Sequence, residues 1–180
     1  MMSKYTQFCT ETFNGAGELE TFELHYPPNF NFAYDVIDAL GQENPNGRAV
    51  VWCDMEGNEQ SLNFAELSEQ SSRAARVFMD AGIKKGDRVM VVLKRHLEYW
   101  YVLPALHKLG AVAVPVTHML TPDDFAYRLE TGSIRAVVCT SNEETRAHNL
   151  KRVERSGTNP LHRSVPMDHP SVLNLHTKMG

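Results

Sequence analysis

The sequence predicts an α/β fold: a βαβαβ parallel sheet preceded by a helix and a β-hairpin. Three observations predict it. Short apolar runs at 88–93, 111–115 and 134–139 alternate with two longer segments of helical periodicity. Turn residues punctuate the boundaries, as Gly82, Lys84-Lys85-Gly86-Asp87 and Gly110 do. The run Val89-Met90-Val91-Val92-Leu93 is apolar without alternation, the pattern of a strand covered on both faces. Strands that alternate with helices across short turns build a parallel sheet.

Each element has a local cause. Residues 1–28 are polar and end in Tyr26-Pro27-Pro28, which favours an extended arm. Phe32 or Ala33, Val36, Ile37 and Leu40 share helical spacing, and Gly41 reads as the stop. Residues 49–53 form a β-type run, Glu56-Gly57-Asn58 supplies a turn, and residues 60–63 return as a second strand. Asn63 is placed to cap a helix from Phe64, with Leu67, Ala74, Ala75, Phe78 and Ala81 on one face and Gly82 at its end. A helix over 97–108 contains Pro104, so a kink or a later start is expected there. Thr121-Pro122-Asp123-Asp124 opens a helix that runs to about Thr131.

Composition changes after Thr140. The last 40 residues hold no aromatic side chain but four of the eight histidines, and six Lys+Arg against four Asp+Glu. A helix over 142–155 is expected, followed by a mobile stretch at 156–180 that Gly157, Pro160, Pro166 and Pro170 interrupt. The chain therefore divides into an arm at 1–28, a partial domain at 29–140 and a divergent tail at 141–180.

The 180 residues carry a net charge of −4, so no global basic field recruits nucleic acid. Cys9, Cys53 and Cys139 are odd in number and far apart, which supports neither a zinc knuckle nor a disulfide framework. A reduced, cytoplasmic setting fits. The N-terminus has no apolar signal core, and the uncharged stretch at 109–122 is too short to span a bilayer.

Candidate chemistry is sparse. Gly15-Ala16-Gly17 lacks the third glycine and preceding strand of a dinucleotide loop, and reads as a plain turn. Asp123 and Asp124 read as helix-capping carboxylates rather than an acid–base pair. No two histidines have zinc-ligand spacing, and no serine sits in a nucleophile-elbow setting. Lys94-Arg95 follows a buried strand, where α/β sheets bind ligands, so Arg95 is placed to face an anion; a solvated turn is the plainer account. Ser156-Gly157-Thr158 has one glycine and no following lysine, so it does not make a phosphate loop. No catalytic, cofactor-binding or metal-ligating residue is assigned.

Residues 28–140 nonetheless resemble the N-terminal region of the AMP-forming acyl-CoA synthetases, within the adenylate-forming superfamily. Ser61-Leu62-Asn63-Phe64-Ala65-Glu66-Leu67 is similar to that group's first core motif. Gly82-Ile83-Lys84-Lys85-Gly86-Asp87-Arg88-Val89 is similar to its typical turn, and the stretch Leu106-His107-Lys108-Leu109-Gly110-Ala111-Val112-Ala113-Val114-Pro115 to its second core motif. Residues 29–35, and 88–95 with Glu98-Tyr99-Trp100, resemble most the acetyl- and medium-chain branch.

The resemblance implies an enzyme that joins a small carboxylic acid to ATP with Mg²⁺, forming an acyl-adenylate and pyrophosphate, before the thiol of CoA takes the acyl group. The family's Ser-Gly-Thr-Thr-Gly-x-Pro-Lys loop, its adenine- and ribose-binding motifs and its catalytic lysine lie beyond the second core motif and do not occur here. Arg146 matches the first arginine of a CoA-phosphate pair, but Asn149 stands at the second. The resemblance thus implies an N-terminal fragment, inactive alone and binding no cofactor by itself. Two other readings stand beside it: an interaction subunit complementing a separate synthetase chain, and a flavodoxin-like nucleotide-binding domain.

Overall fold

A computed structural model describes residues 4–139. The expected helix at 142–155, the mobile stretch at 156–180, Arg146 and the Ser156-Gly157-Thr158 segment lie outside the described residues.

The arm is a correction. After a 3₁₀ turn at Lys4–Gln7, β1 (Cys9–Phe13) and β2 (Leu19–Leu24) pair as an antiparallel hairpin. The turn is built by Asn14, whose Oδ1 accepts from the backbone N–H groups of Ala16 and Glu18. Gly15-Ala16-Gly17 is thus turn chemistry, as its sequence predicts.

The next helix begins as a π-helix at Ala33–Asp38 and continues as α1 (Ala39–Glu43). Gly41 does not stop it. A Cβ at Gly41 would lie 3.2 Å from the Phe64 carbonyl oxygen and 3.2 Å from Ser68 Cβ, so this glycine lets α1 approach the next long helix closely.

Strands β3 (Arg48–Cys53) and β4 (Glu59–Asn63) form the expected second hairpin. Asn63 then caps α2 (Phe64–Asp80) in a reciprocal box. Its side chain accepts from the Glu66 N–H at 2.8 Å, and the Glu66 carboxylate accepts from the Asn63 N–H at 2.8 Å. The buried face of α2 is Leu67, Ser71, Ala74, Ala75 and Phe78.

The parallel sheet follows: β5 (Arg88–Val92), α3 (Tyr99–Leu109), β6 (Val112–Pro115), α4 (Pro122–Thr131) and β7 (Ile134–Cys139), in the order β6-β5-β7. Both pairings are parallel. Helix α3 starts at Tyr99, two residues later than the sequence suggested, yet Pro104 stays inside it. Its missing N–H leaves the carbonyl of the half-exposed Trp100 without its helical partner. Gly110 closes α3 at φ 64°, the left-handed cap that glycine adopts without strain.

Successive residues of β5 point to opposite faces of the sheet. Val89 and Val91 join Leu67, Phe78, Val102 and Leu106 in one core, under α2 and α3. Met90 and Val92 join Phe125, Leu129 and Ile134 in a second core, under α4. The sheet is therefore covered on both sides, as the unbroken apolar run predicts.

Candidate functional site

The two crossover helices decide where a ligand can reach the sheet. Strand β5 leaves its carboxyl end toward α3 on one face, and β6 leaves toward α4 on the other. Connections that depart to opposite faces open a crevice at the carboxyl ends of adjacent strands. Here that place lies above β5 and β6, between residues 93–98 and residues 116–121.

The first loop carries Lys94 and Arg95, both exposed. Their charged groups have no hydrogen bond or ion pair among the described residues. The backbone of Arg95 is held, because its carbonyl accepts from the indole N–H of Trp52 in β3. The hairpin β3–β4 thereby braces this loop against the sheet. The second loop exposes Thr117, His118 and Met119, while Leu120 is buried and anchors it. Val116 continues the ladder by donating its N–H to the Val91 carbonyl at 3.0 Å.

Two free cations beside a strand terminus can hold an anion by charge. They cannot by themselves activate one. No group of three or more His, Cys, Asp or Glu side chains among the described residues is placed to hold a metal ion. Tyr101 on α3 is buried, and its phenol is pushed up first by burial and then by Glu98, so it stays protonated.

The other candidates resolve into structure. Asp124 belongs to a capping box. Thr121 donates its hydroxyl to the Asp124 carboxylate at 2.6 Å, and the Asp124 N–H donates to Thr121 Oγ1 at 3.2 Å. That hydrogen bonding, with a smaller contribution from Arg128, holds the carboxyl below the usual range. Asp123 sits beside it in the first helical turn. Cys9 is buried, Cys53 exposed and Cys139 partly buried, and none of the three is in a disulfide.

Sequence reasoning missed two features. One is the apolar face of the β1–β2 hairpin. The other is the buried charge of Lys108, whose signal was present as the one Lys or Arg in a motif otherwise of apolar residues, glycine and His107.

The motif residues therefore build the frame. The 61–67 stretch is the β4–α2 junction with its capping box, and the 106–115 stretch is the end of α3, the Gly110 cap and β6.

Comparison with known proteins gives a consistent family. A family model described as AMP-binding enzyme matches residues 37–175, beyond the point where the sequence composition changes. Acyl-coenzyme A synthetase ACSM2, mitochondrial, of Rattus norvegicus is 41% identical over 119 residues, covering 62% of this chain and 21% of that protein. Acyl-coenzyme A synthetase ACSM2A, mitochondrial, of Homo sapiens is 38% identical over 118 residues, covering 62% and 20%.

Among solved structures, a putative long-chain-fatty-acid CoA ligase from Rhodopseudomonas palustris superposes with a TM-score of 0.59. It has 25% identity over 69% of this chain and 30% of that one. The N-terminal domain of FACL13 from Mycobacterium tuberculosis superposes at 0.60 with 22% identity, over 73% and 31%, and supports the fold. The chain spans about a fifth of the length of these curated relatives.

Proposed function

Because the chain belongs to the AMP-binding enzyme family, we propose that it supplies the N-terminal part of an AMP-forming acyl-CoA synthetase. The observation that carries this reading is the family match at 37–175, laid over a parallel sheet that superposes on acyl-CoA ligases. In the complete enzyme a small carboxylic acid, ATP and CoA are the reactants. The acid's carboxylate attacks the α-phosphorus and pyrophosphate leaves; the CoA thiol then displaces AMP from the acyl carbon. Phosphate charge in such a reaction calls for basic side chains and Mg²⁺.

This chain's part is structural. The described residues contain no ligand set that fits Mg²⁺, and no phosphate loop occurs in the sequence. Residues 29–140 serve as the partial synthetase domain, preceded by residues 1–28 and followed by the tail at 141–180. Lys94 and Arg95 offer positive charge at the sheet's carboxyl edge without a base or nucleophile beside them. On this reading the chain alone is expected to be inactive in acid activation. No observation favours a separate complementing chain, and the family match argues against a flavodoxin-like domain.

Three cysteines without a disulfide support a reducing compartment. No helix among the described residues is long and apolar enough to cross a membrane. The cytoplasm fits these properties, and a mitochondrial setting, the word printed in the names of the relatives, fits them equally.

ATP–pyrophosphate exchange with acetate, butyrate or benzoate tests the proposal. No exchange above background is expected from the chain alone. Exchange that scales with the amount of chain would overturn the inactive-scaffold reading.

A further inference from the structure

The β1–β2 hairpin precedes the family-matched stretch, which begins at residue 37. Residues directly opposite in an antiparallel ladder lie on the same face. The pairs Cys9–Leu24, Glu11–Phe22 and Phe13–Leu19 put Cys9, Phe13, Leu19, Phe22 and Leu24 on one side, with Glu11 among them. The pairs Thr10–Glu23 and Thr12–Thr21 make the other side polar. That polar side is internally satisfied: the Thr12 and Thr21 hydroxyls are 2.6 Å apart, and Thr10 Oγ1 lies 2.7 Å from His25 Nε2.

Beyond the buried Cys9, the apolar side is uncovered. Phe13 is 57% exposed, Leu19 55%, Phe22 52% and Leu24 60%. A two-stranded hairpin is marginal in water on its own, and a contiguous exposed apolar face marks an interaction site. The hairpin is nevertheless seated at its base, where the Phe8 and Phe30 rings meet edge-on at 4.9 Å and Lys4 pairs with Glu43. It is presented rather than loose.

Charge identifies what covers it. Residues 5–47 contain seven Asp+Glu and no Lys or Arg. Four of the seven, Glu11, Glu18, Glu20 and Glu23, lie on the hairpin or its turn. Lys4, the cation just before this stretch, is already committed to Glu43. A second copy of the hairpin would bring the same carboxylates into opposition, and an anionic lipid surface would be repelled equally.

We propose that this hairpin face is a docking surface for a basic, amphipathic polypeptide segment. The apolar side chains of that segment cover Phe13, Leu19, Phe22 and Leu24, and its Lys or Arg side chains reach the surrounding glutamates. The apolar area supplies the attraction and the carboxylates select the partner's charge.

The test is a fluorescence-anisotropy titration of the full chain against a labelled peptide that alternates Leu with Lys. Two control peptides replace Lys by Glu or Leu by Ala. The Leu–Lys peptide is expected to bind, and to raise amide protection over residues 9–24. Binding is expected to weaken by about tenfold in Phe22→Ser/Leu24→Ser and by a similar factor in Glu11→Gln/Glu20→Gln. The second variant keeps the apolar ladder, so it reads the docking even if the first loosens the hairpin.

Four results overturn the proposal. They are affinity unchanged in both variants, protection that appears outside the hairpin, a dimer of the chain that Phe22→Ser dissolves, and crosslinks placing the chain's own residues 140–180 on this face.

Discussion

The ammonium of Lys108 lies 2.7 Å from Asp38 Oδ1, joining the last turn of α3 to the π-helix that precedes α1. The Lys108 side chain is only 4% exposed. Its other hydrogens go to the Ser68 carbonyl at 3.2 Å and Ser72 Oγ at 2.8 Å, and its charge lies 5.8 Å from the Tyr34 ring centroid. One buried cation thus fastens three segments that are far apart in sequence. Removing one partner of a buried, satisfied pair leaves the other charge uncompensated.

Lys108→Met should therefore lower unfolding stability by about 3 kcal/mol. A urea titration checks this, with the midpoint falling at constant slope. In a double-mutant cycle with Asp38→Asn, a coupling of at least about 1 kcal/mol is expected. A loss below about 1 kcal/mol for Lys108→Met would place the pair among the weak, solvent-screened bridges.

The capping boxes give a second, smaller expectation. Asn63→Ala removes the acceptor for the Glu66 N–H and should cost about 1 kcal/mol, and Thr121→Ala at the start of α4 a similar amount. Denaturant midpoints of the two single variants and their double would show additive losses, since the caps serve separate helices.

Gly110 is constrained twice over. Its φ is 64°, and a Cβ there would lie 3.0 Å from Lys85 Cγ. Gly110→Ala should cost about 1–2 kcal/mol, the penalty of a left-handed conformation for an L-residue. Gly15→Ala, where a Cβ meets nothing within 4 Å, should stay within about 0.5 kcal/mol of the parent. Thermal melts of both variants provide the comparison.

His107 predicts a pH dependence. Its Nδ1 is buried and has no hydrogen-bond partner among the described residues, and the Phe32 ring packs edge-on at 6.4 Å. Burial pushes the imidazole below its usual range. The folded state therefore binds this proton more weakly than the unfolded state does. The neutral ring's contribution is complete above the unfolded value, about 6.5, and is lost as pH falls through that value toward the lower folded one. The urea midpoint should drop between about pH 7.5 and about pH 5.5, and His107→Gln should flatten that drop. A slope unchanged in the variant would assign it to other groups.

The strands and helices of residues 48–139 were legible because period and punctuation agree there. Residues 88–93 are apolar without alternation, and the structure covers them on both faces. Asn63 and Thr121 announce helices by their cap chemistry. Gly41 misled because a glycine after a helical run reads as a stop, whereas here it answers the close approach of Phe64 and Ser68, which no local pattern encodes. The hairpin was missed because its alternation is built from Thr and Glu opposite isolated Phe and Leu, so its mean polarity hides the period of two. The position of Lys94 and Arg95 just past a buried strand was readable, and the structure leaves both exposed there. The Lys108–Asp38 tie was not, since it depends on tertiary proximity.

The residues that mark this chain as a family member are, in this account, a frame that folds from the part present. Amide hydrogen exchange on the isolated chain tests that most directly. The slowest exchange is expected in β5, α2 and α3, with a common opening energy close to the global stability, and faster exchange in β1 and β2. Rapid exchange of Val89 to Val92, comparable to that of the hairpin, would contradict it.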